Sequence, residues 1–378
     1  MFENLSYLAL QQYWYFIVSL LGAILVFLMF VQGGQTFIYR IGKTDNERTI
    51  IVNTLGRKWE FTFTTLVTFG GAFFASFPLF YATSFGGAYW VWMLILFAFV
   101  IQAVSYEFRS KASNFLGKKT YESFLFVNGL LGTVLIGTAV ATFFSGSQFS
   151  INEYNSVSWE TSARGLEAAL NPFNLSLGLT VFFLARVQGL LYFMNTIDHV
   201  EILERTKKKL LLNAIPFVVF FLTFVIWLML RDGYAVNLDT AIVSLEEHKY
   251  WHNLIQMPLV FIMFLLGVLL VLSGIAWSLL KTTSRGIWFT GAGTILVVLC
   301  LFLLAGFNHT AFYPSSYDLQ SSLTIQNSSS SKFTLTVMSY VSLLVPVVIA
   351  YIVVVWRAIN NKKIDEAEVT AGDDTHIY

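Results

Sequence analysis

Glu60, Thr64 and Thr68 recur at every fourth residue of one apolar run, and Ser76 continues the row two turns later. Side chains at that spacing share a helix face, so a carboxylate heads a row of hydroxyls. Two readings of the row stay open. Ionisable groups facing a bundle interior mark proton relays, with Glu60 as the entry. Alternatively, Glu60 is an interfacial acid beside Lys58 and the threonines bond back to their own helix. Alongside runs a small-residue row, Gly70, Gly71, Ala72, Ala75 and Ser76, ended by Pro78. Its expected role is helix packing, because small residues let helices approach closely in lipid. Arg186 lies about nine residues, or roughly 13 Å, from the inner end of another apolar run. That is far for snorkelling, so it calls for a carboxylate, a lipid head group or a partner subunit. An internal packing partner and a functional anion site remain equally open.

Other chemistry is missing. Binding haem within a membrane needs His or Met ligands projecting from facing helices. His199, His248, His252, His309 and His376 all fall in connections, at run ends or in the C-terminal tail. His248 and His252 stand four apart and could share a metal; two independent interfacial histidines is the simpler reading. Cys300 is the single cysteine and sits inside a run, which excludes a disulfide framework and a CxxC pair. No phosphate-binding glycine loop or nucleophile constellation is present. The expectation is a chain with no metal and no complete active site of its own.

The elements that must position these residues are nine runs, roughly 12–32, 59–80, 87–106, 123–145, 174–195, 210–230, 253–280, 287–307 and 334–356. Each is long enough, at about 1.5 Å per residue, to cross a hydrocarbon core of roughly 30 Å. The composition agrees: 12 % charged residues and 56 % hydrophobic do not suit a soluble domain, which carries about 25 % charge. Eighteen of the 23 Lys and Arg fall in alternate connections and the tail, and only Arg164, Arg231, Lys249 and Lys332 on the other side. Cytoplasmic connections retain such charge, so the N-terminus is expected outside and the C-terminus inside. The fold expected is all-α, a single integral membrane domain over 1–378 with a cytoplasmic tail at 357–378. The net charge of +1 gives no case for nucleic acid. The first apolar run is too long for a cleavable signal and is expected to direct insertion itself.

The ordered motifs resemble a known family. Gly42-Lys43-Thr44-Asp45-Asn46-Glu47-Arg48, then Trp59-Glu60, then Gly70-Gly71-Ala72-Phe73-Phe74-Ala75-Ser76-Phe77-Pro78 are similar to subunit II of cytochrome bd ubiquinol oxidases. So are Glu107-Phe108-Arg109-Ser110-Lys111, Asn171-Pro172-Phe173, Gln188-Gly189 and Tyr313-Pro314-Ser315-Ser316. The resemblance spans the chain and is nearest the variant of Bacteroidetes-type bacteria. It implies two four-helix bundles plus one extra helix in a bacterial cytoplasmic (inner) membrane. It also implies a partner, subunit I, holding haem b and haem d, with no haem ligated by this chain. A small single-helix subunit, membrane lipids and a bound quinone or lipid are further implied partners. The complex oxidises quinol and reduces oxygen to water in aerobic respiration. Subunit II would stabilise subunit I and supply a proton path or an oxygen route.

Two departures bear on that path. Where the family carries an Asp-Gly-Phe-Asp type motif, this chain has Phe30-Val31-Gln32-Gly33-Gly34-Gln35, and the Trp-Asp-Gly-Asn pattern is Trp59-Glu60-Phe61-Thr62. Glu60 is then the one acid left, and Gln32 and Gln35 join Thr64, Thr68 and Ser76 as candidate path residues. Amides do not titrate, so protons would pass them only on water. The competing classes are a secondary transporter, which needs discontinuous helices and paired repeats, and a purely structural membrane scaffold.

Overall fold

Ser6 starts the first helix by accepting a hydrogen bond from the backbone N–H of Ala9. From there the computed structural model is dominated by helices. It describes residues 2–366 apart from 112, 238 and 282; His376 and the end of the expected tail lie outside the described residues. In order the helices are α1 (Tyr7–Leu28), α2 (Phe30–Gln35), α3 (Ile38–Ile41), α4 (Asp45–Gly56), α5 (Trp59–Ser76), α6 (Pro78–Tyr81), α7 (Tyr89–Phe108) and α8 (Lys118–Ser145). They continue as α9 (Pro172–Thr196), α10 (Val200–Leu230), α11 (Lys249–Gln256), α12 (Pro258–Lys281), α13 (Gly286–Gly306), α14 (Ile325–Ser328), α15 (Lys332–Ser342) and α16 (Val345–Ile359). Two antiparallel hairpins, β1 (Phe149–Ile151) with β2 (Val157–Trp159) and β3 (Gly233–Val236) with β4 (Val243–Glu246), follow α8 and α10.

Among the described residues, eight stretches are long and apolar enough to cross a membrane: α1 with α2, α7, α8, α9, α10, α12, α13, and α15 with α16. The chain is therefore a polytopic all-α membrane protein. The expected run at 59–80 is not among the eight. Glu60 and four threonines make α5 less apolar, and the helix stops at Phe77. Pro78 has no N–H to give the preceding turn, so the chain restarts as α6 and passes into a π-helical turn at Ala82–Gly86. Beside this break, the carbonyl of Ser76 accepts the N–H of Ser330.

Helices approach most closely where α2 meets α9. A Cβ on Gly33 would lie 1.9 Å from the carbonyl oxygen of Ala185, and one on Gly189 would lie 2.5 Å from the Gly34 nitrogen. Only glycine allows that contact. The row from Gly70 to Ser76 behaves differently: a Cβ on Gly71 would meet no atom of this chain within 4 Å, and one on Gly70 only Phe85 at 3.4 Å. Ala75 is half-buried and Pro78 exposed. Within this chain, close packing sits instead at Gly33 and Gly189, and also at Gly267 and Gly293 between α12 and α13.

The core has two large parts and a small cluster of Tyr234, Val236, Val243 and Ala311 at the second hairpin. Phe73, Phe80, Phe143, Phe312 and Tyr313 cluster toward the hairpins, while Phe30, Ile51, Leu55, Tyr192 and Phe193 cluster toward α4. At the α4 end, Thr44 accepts the Glu47 N–H at 3.1 Å, and the Glu47 carboxylate accepts the N–H of Thr44 at 3.1 Å and of Lys43 at 2.5 Å. This capping box starts α4. Arg205 of α10 donates to the same carboxylate at 2.5 and 2.9 Å. The guanidinium, helped by the two backbone N–H groups and opposed by burial, lowers the Glu47 carboxyl to about 2. A second clasp joins α7 to α8: Arg109 donates to Glu122 at 2.7 and 3.1 Å and to Thr49 at 3.3 Å, with both charged groups almost fully buried. The Gly42–Arg48 motif is therefore a fastening between α4, α8 and α10.

Candidate functional site

The two faces of α5 have different surroundings. Trp59, Thr62, Phe69 and Phe73 turn inward, and Thr62 donates to the Leu28 carbonyl of α1 at 3.0 Å. Glu60, Thr64 and Thr68 turn outward and line a groove of about 2350 Å³ between α1, α5 and α15–α16. They share one wall, as their spacing predicts. Thr68 donates to the Thr64 carbonyl at 2.8 Å, so its hydroxyl bonds back to its own helix. Ser76 does not belong to the row. Eight residues beyond Thr68 is about 80° of further rotation at 3.6 residues per turn, and Ser76 is buried, donating to the Ala72 carbonyl.

The far wall of the groove is unusual because α16 buries none of its residues. Among the described residues, its side-chain hydrogen bonds and ring contacts to the other helices lie near the ends of the span. At one, Tyr13 and Ser342 share a hydrogen bond of 2.7 Å, and the Trp14 indole donates to the Leu335 carbonyl at 3.1 Å. At the other, the Trp356 ring meets Phe61 at 5.7 Å and Phe30 at 6.0 Å, with the Lys58 Nζ 4.6 Å from its centroid. Lys58 is fully buried and its Nζ has no hydrogen-bond partner among the described residues. Burial, with the nearby charge of Arg57, brings this ammonium down to about 7.

Gln32 and Gln35 lie inside the bundle and away from the groove wall. Gln32 donates to the Gln102 side-chain carbonyl at 3.1 Å, and Gln35 to the Tyr106 hydroxyl at 3.0 Å. Tyr106 in turn stacks on Trp59 at 5.7 Å and lines the groove, so it stands between the two sets. Gln32 Oε1, Gln35 Oε1 and Gln102 Nε2 are buried with no partner among the described residues; the row therefore has hydrogen-bonding capacity that suits water. Gln102 was not singled out from sequence, although it is the one amide within 89–108. Gln188, which donates to Thr294 at 2.7 Å, is a further buried amide of this kind.

Arg186 faces rings. Its guanidinium lies 4.4 Å from the centroid of Phe37, 5.1 Å from Phe182 and 6.0 Å from Phe183, and its Nε is buried without a partner. His252 pairs with Glu246 at 2.9 Å, which Lys249 also reaches at 3.0 Å, and His248 lies just before α11 with a positive φ.

Comparison with known proteins places this geometry in a family. The family model for "Cytochrome bd terminal oxidase subunit II" matches residues 10–359. The chain is 28 % identical over 326 residues to the "Cytochrome bd-I ubiquinol oxidase subunit 2" of Escherichia coli K12, covering 82 % of this chain and 83 % of that one. It is 29 % identical over 356 residues to the "Probable cytochrome oxidase subunit 2" of Haemophilus influenzae, covering 91 % and 92 %. A chain of the bd oxidase structure from Geobacillus thermodenitrificans shares the fold, with a TM-score of 0.62 at 15 % identity, covering 94 % of this chain and 100 % of that one. The chain belongs to the subunit II family of cytochrome bd terminal oxidases.

Proposed function

We propose that this chain stabilises the haem-bearing subunit I of a bd-type quinol oxidase and lets protons enter along the Glu60 wall of the groove. Membership of the family makes it a subunit of an oxidoreductase complex, with a subunit I as partner. The observation that carries the finer reading is that Glu60, Thr64 and Thr68 face an open groove whose opposite wall, α16, is bare. An exposed apolar helix needs lipid or protein against it, and a carboxylate part-way into that surface needs a polar neighbour. Subunit I meets both needs when it seats against α5 and α16, where the bare Gly71 also allows close approach. In this reading haem b and haem d belong to subunit I. Every described histidine stands at a helix end, in a connection or in the short helix α11, outside the eight spans, so none offers a facing pair for axial ligation within one of them. Quinol oxidation and oxygen reduction then take place on the partner.

The same reading takes α5 through α6 as a ninth span, arranged as two four-helix bundles plus one helix in a bacterial inner membrane. The α4 end, with most of the Lys and Arg, is then cytoplasmic. Protons would reach Glu60 from that side, and water along Gln32, Gln35 and Gln102 would be a second, interior row. The test is quinol-driven oxygen consumption per haem in the assembled complex. Glu60→Gln keeps the shape and loses the titrating site, so turnover is expected to fall with haem content unchanged. Wild-type turnover would make this chain a scaffold. The back-bonded Thr68 favours that second reading for the hydroxyls, and Thr64→Val and Thr68→Val tell them apart.

A further inference from the structure

Arg186 sits about 15 Å along α9 from its last residue, Thr196. Arg40, at the end of α3, stands one turn beyond Phe37, the ring nearest the Arg186 guanidinium, and its backbone N–H donates to the Phe37 carbonyl at 2.9 Å. Neither guanidinium has an ion pair among the described residues. A guanidinium whose Nε is buried without a partner favours an anion beside it, and the described residues bring none. What it does bring is an apolar cradle: Phe37 and Phe182 under the guanidinium, with Phe183 stacked at 5.7 Å on Phe220 of α10. Arg186 is half-buried while Arg40 is exposed, so the pair is open on one side.

We propose that Arg186 and Arg40 form a binding site for the phosphodiester of an anionic phospholipid, drawn from the leaflet on the α4 side. The planar fork of Arg186 presents paired N–H donors to phosphate oxygens, and its rings hold the plane of the fork. Basic pockets between spans on the cytoplasmic side of a membrane are a known physical means of holding such head groups. The phenylalanines beside the fork provide the surface along which acyl chains lie. A free phosphate ion satisfies the charges but makes no use of those rings. This site stands apart from the Glu60 groove and does not depend on the oxidase reading.

The test is native mass spectrometry of the detergent-purified protein with whatever partner it retains, titrated with phosphatidylglycerol, phosphatidylcholine or inorganic phosphate. The wild type is expected to keep one phosphatidylglycerol under conditions that strip phosphatidylcholine. Arg186→Leu is expected to weaken that binding at least tenfold. Arg186→Lys, which keeps the charge but not the fork, and Arg40→Gln, which alters an exposed residue, are expected to weaken it about threefold and cover the case in which Arg186→Leu fails to fold. Equal retention of the two lipids, or unchanged binding in all three variants, overturns the proposal. Competition by inorganic phosphate as effective as by phosphatidylglycerol overturns the lipid source. Loss of the partner subunit from Arg186→Leu with lipid binding intact would assign the arginine to a carboxylate of that partner.

Discussion

The ammonium of Lys58 lies 4.6 Å from the centroid of the Trp356 ring, and this contact joins the start of α5 to the end of α16 across the mouth of the groove. Phe30, Phe61 and Tyr192 surround the same indole. With the middle of α16 bare, this cluster and the Tyr13–Ser342 bond hold the helix in place.

Trp356→Leu therefore loosens α16. The expected loss is about 1–3 kcal/mol from the ring's packing and its cation–π contact. It should be seen as a lower thermal midpoint for the assembled complex. Lys58→Met keeps the apolar stem and removes a buried charge that has no hydrogen-bond partner among the described residues, so it should be neutral or stabilising. A loss from Lys58→Met as large as that from Trp356→Leu would show that the charge itself holds the helix.

Glu47 provides a pH dependence. Its carboxyl is held at about 2, against an ordinary value of 4.5, by Arg205 and two backbone N–H groups. The stabilisation is complete above pH 4.5 and is lost as pH falls toward 2. The full effect is roughly 3 kcal/mol. Thermal midpoints measured across that window should fall more steeply for the wild type than for Glu47→Gln. Parallel curves would mean that Arg205 does not hold this carboxylate in solution.

The spans were legible because charges are excluded from apolar runs: most expected ends lie within a few residues of the helices observed. The α5 interruption was harder to see, since it depends on where Pro78 removes a donor and where Ser330 supplies one, 252 residues away along the chain. Ser76 continues the four-residue spacing of Glu60, Thr64 and Thr68 in the sequence, but eight residues turn a helix well off that face. Gln102 and the Arg109–Glu122 pair escaped notice because a buried polar group is recognised by its partner, and those partners lie on other helices. Arg186 was legible as an anomaly from its position, but its aromatic cradle on Phe37 was not.

Gln102→Leu separates two uses of the interior amides. It leaves the Gln32 amide without its acceptor, a loss of about 1–3 kcal/mol. If the row also carries protons on water, oxygen consumption per haem should drop by more than the loss of assembled complex explains. A fall in assembly with unchanged turnover per haem would make the row structural.

Cysteine labelling tests the orientation. Lys208 and Lys332 are both exposed, and the native Cys300 is buried. In intact cells a membrane-impermeant thiol reagent should reach Lys332→Cys and miss Lys208→Cys. Labelling of the second alone would invert the topology.

If this chain works as the partner of a haem-bearing subunit, haem travels with it through purification. Purified under mild conditions from its native membrane by a tag on this chain, it should co-migrate with a haem-containing subunit in equal amount, and the complex should consume oxygen with quinol. The chain expressed alone should give no haem spectrum. Migration without any haem-containing partner, or a haem spectrum from the isolated chain lost on substitution of one of its own His or Met residues, would contradict the account.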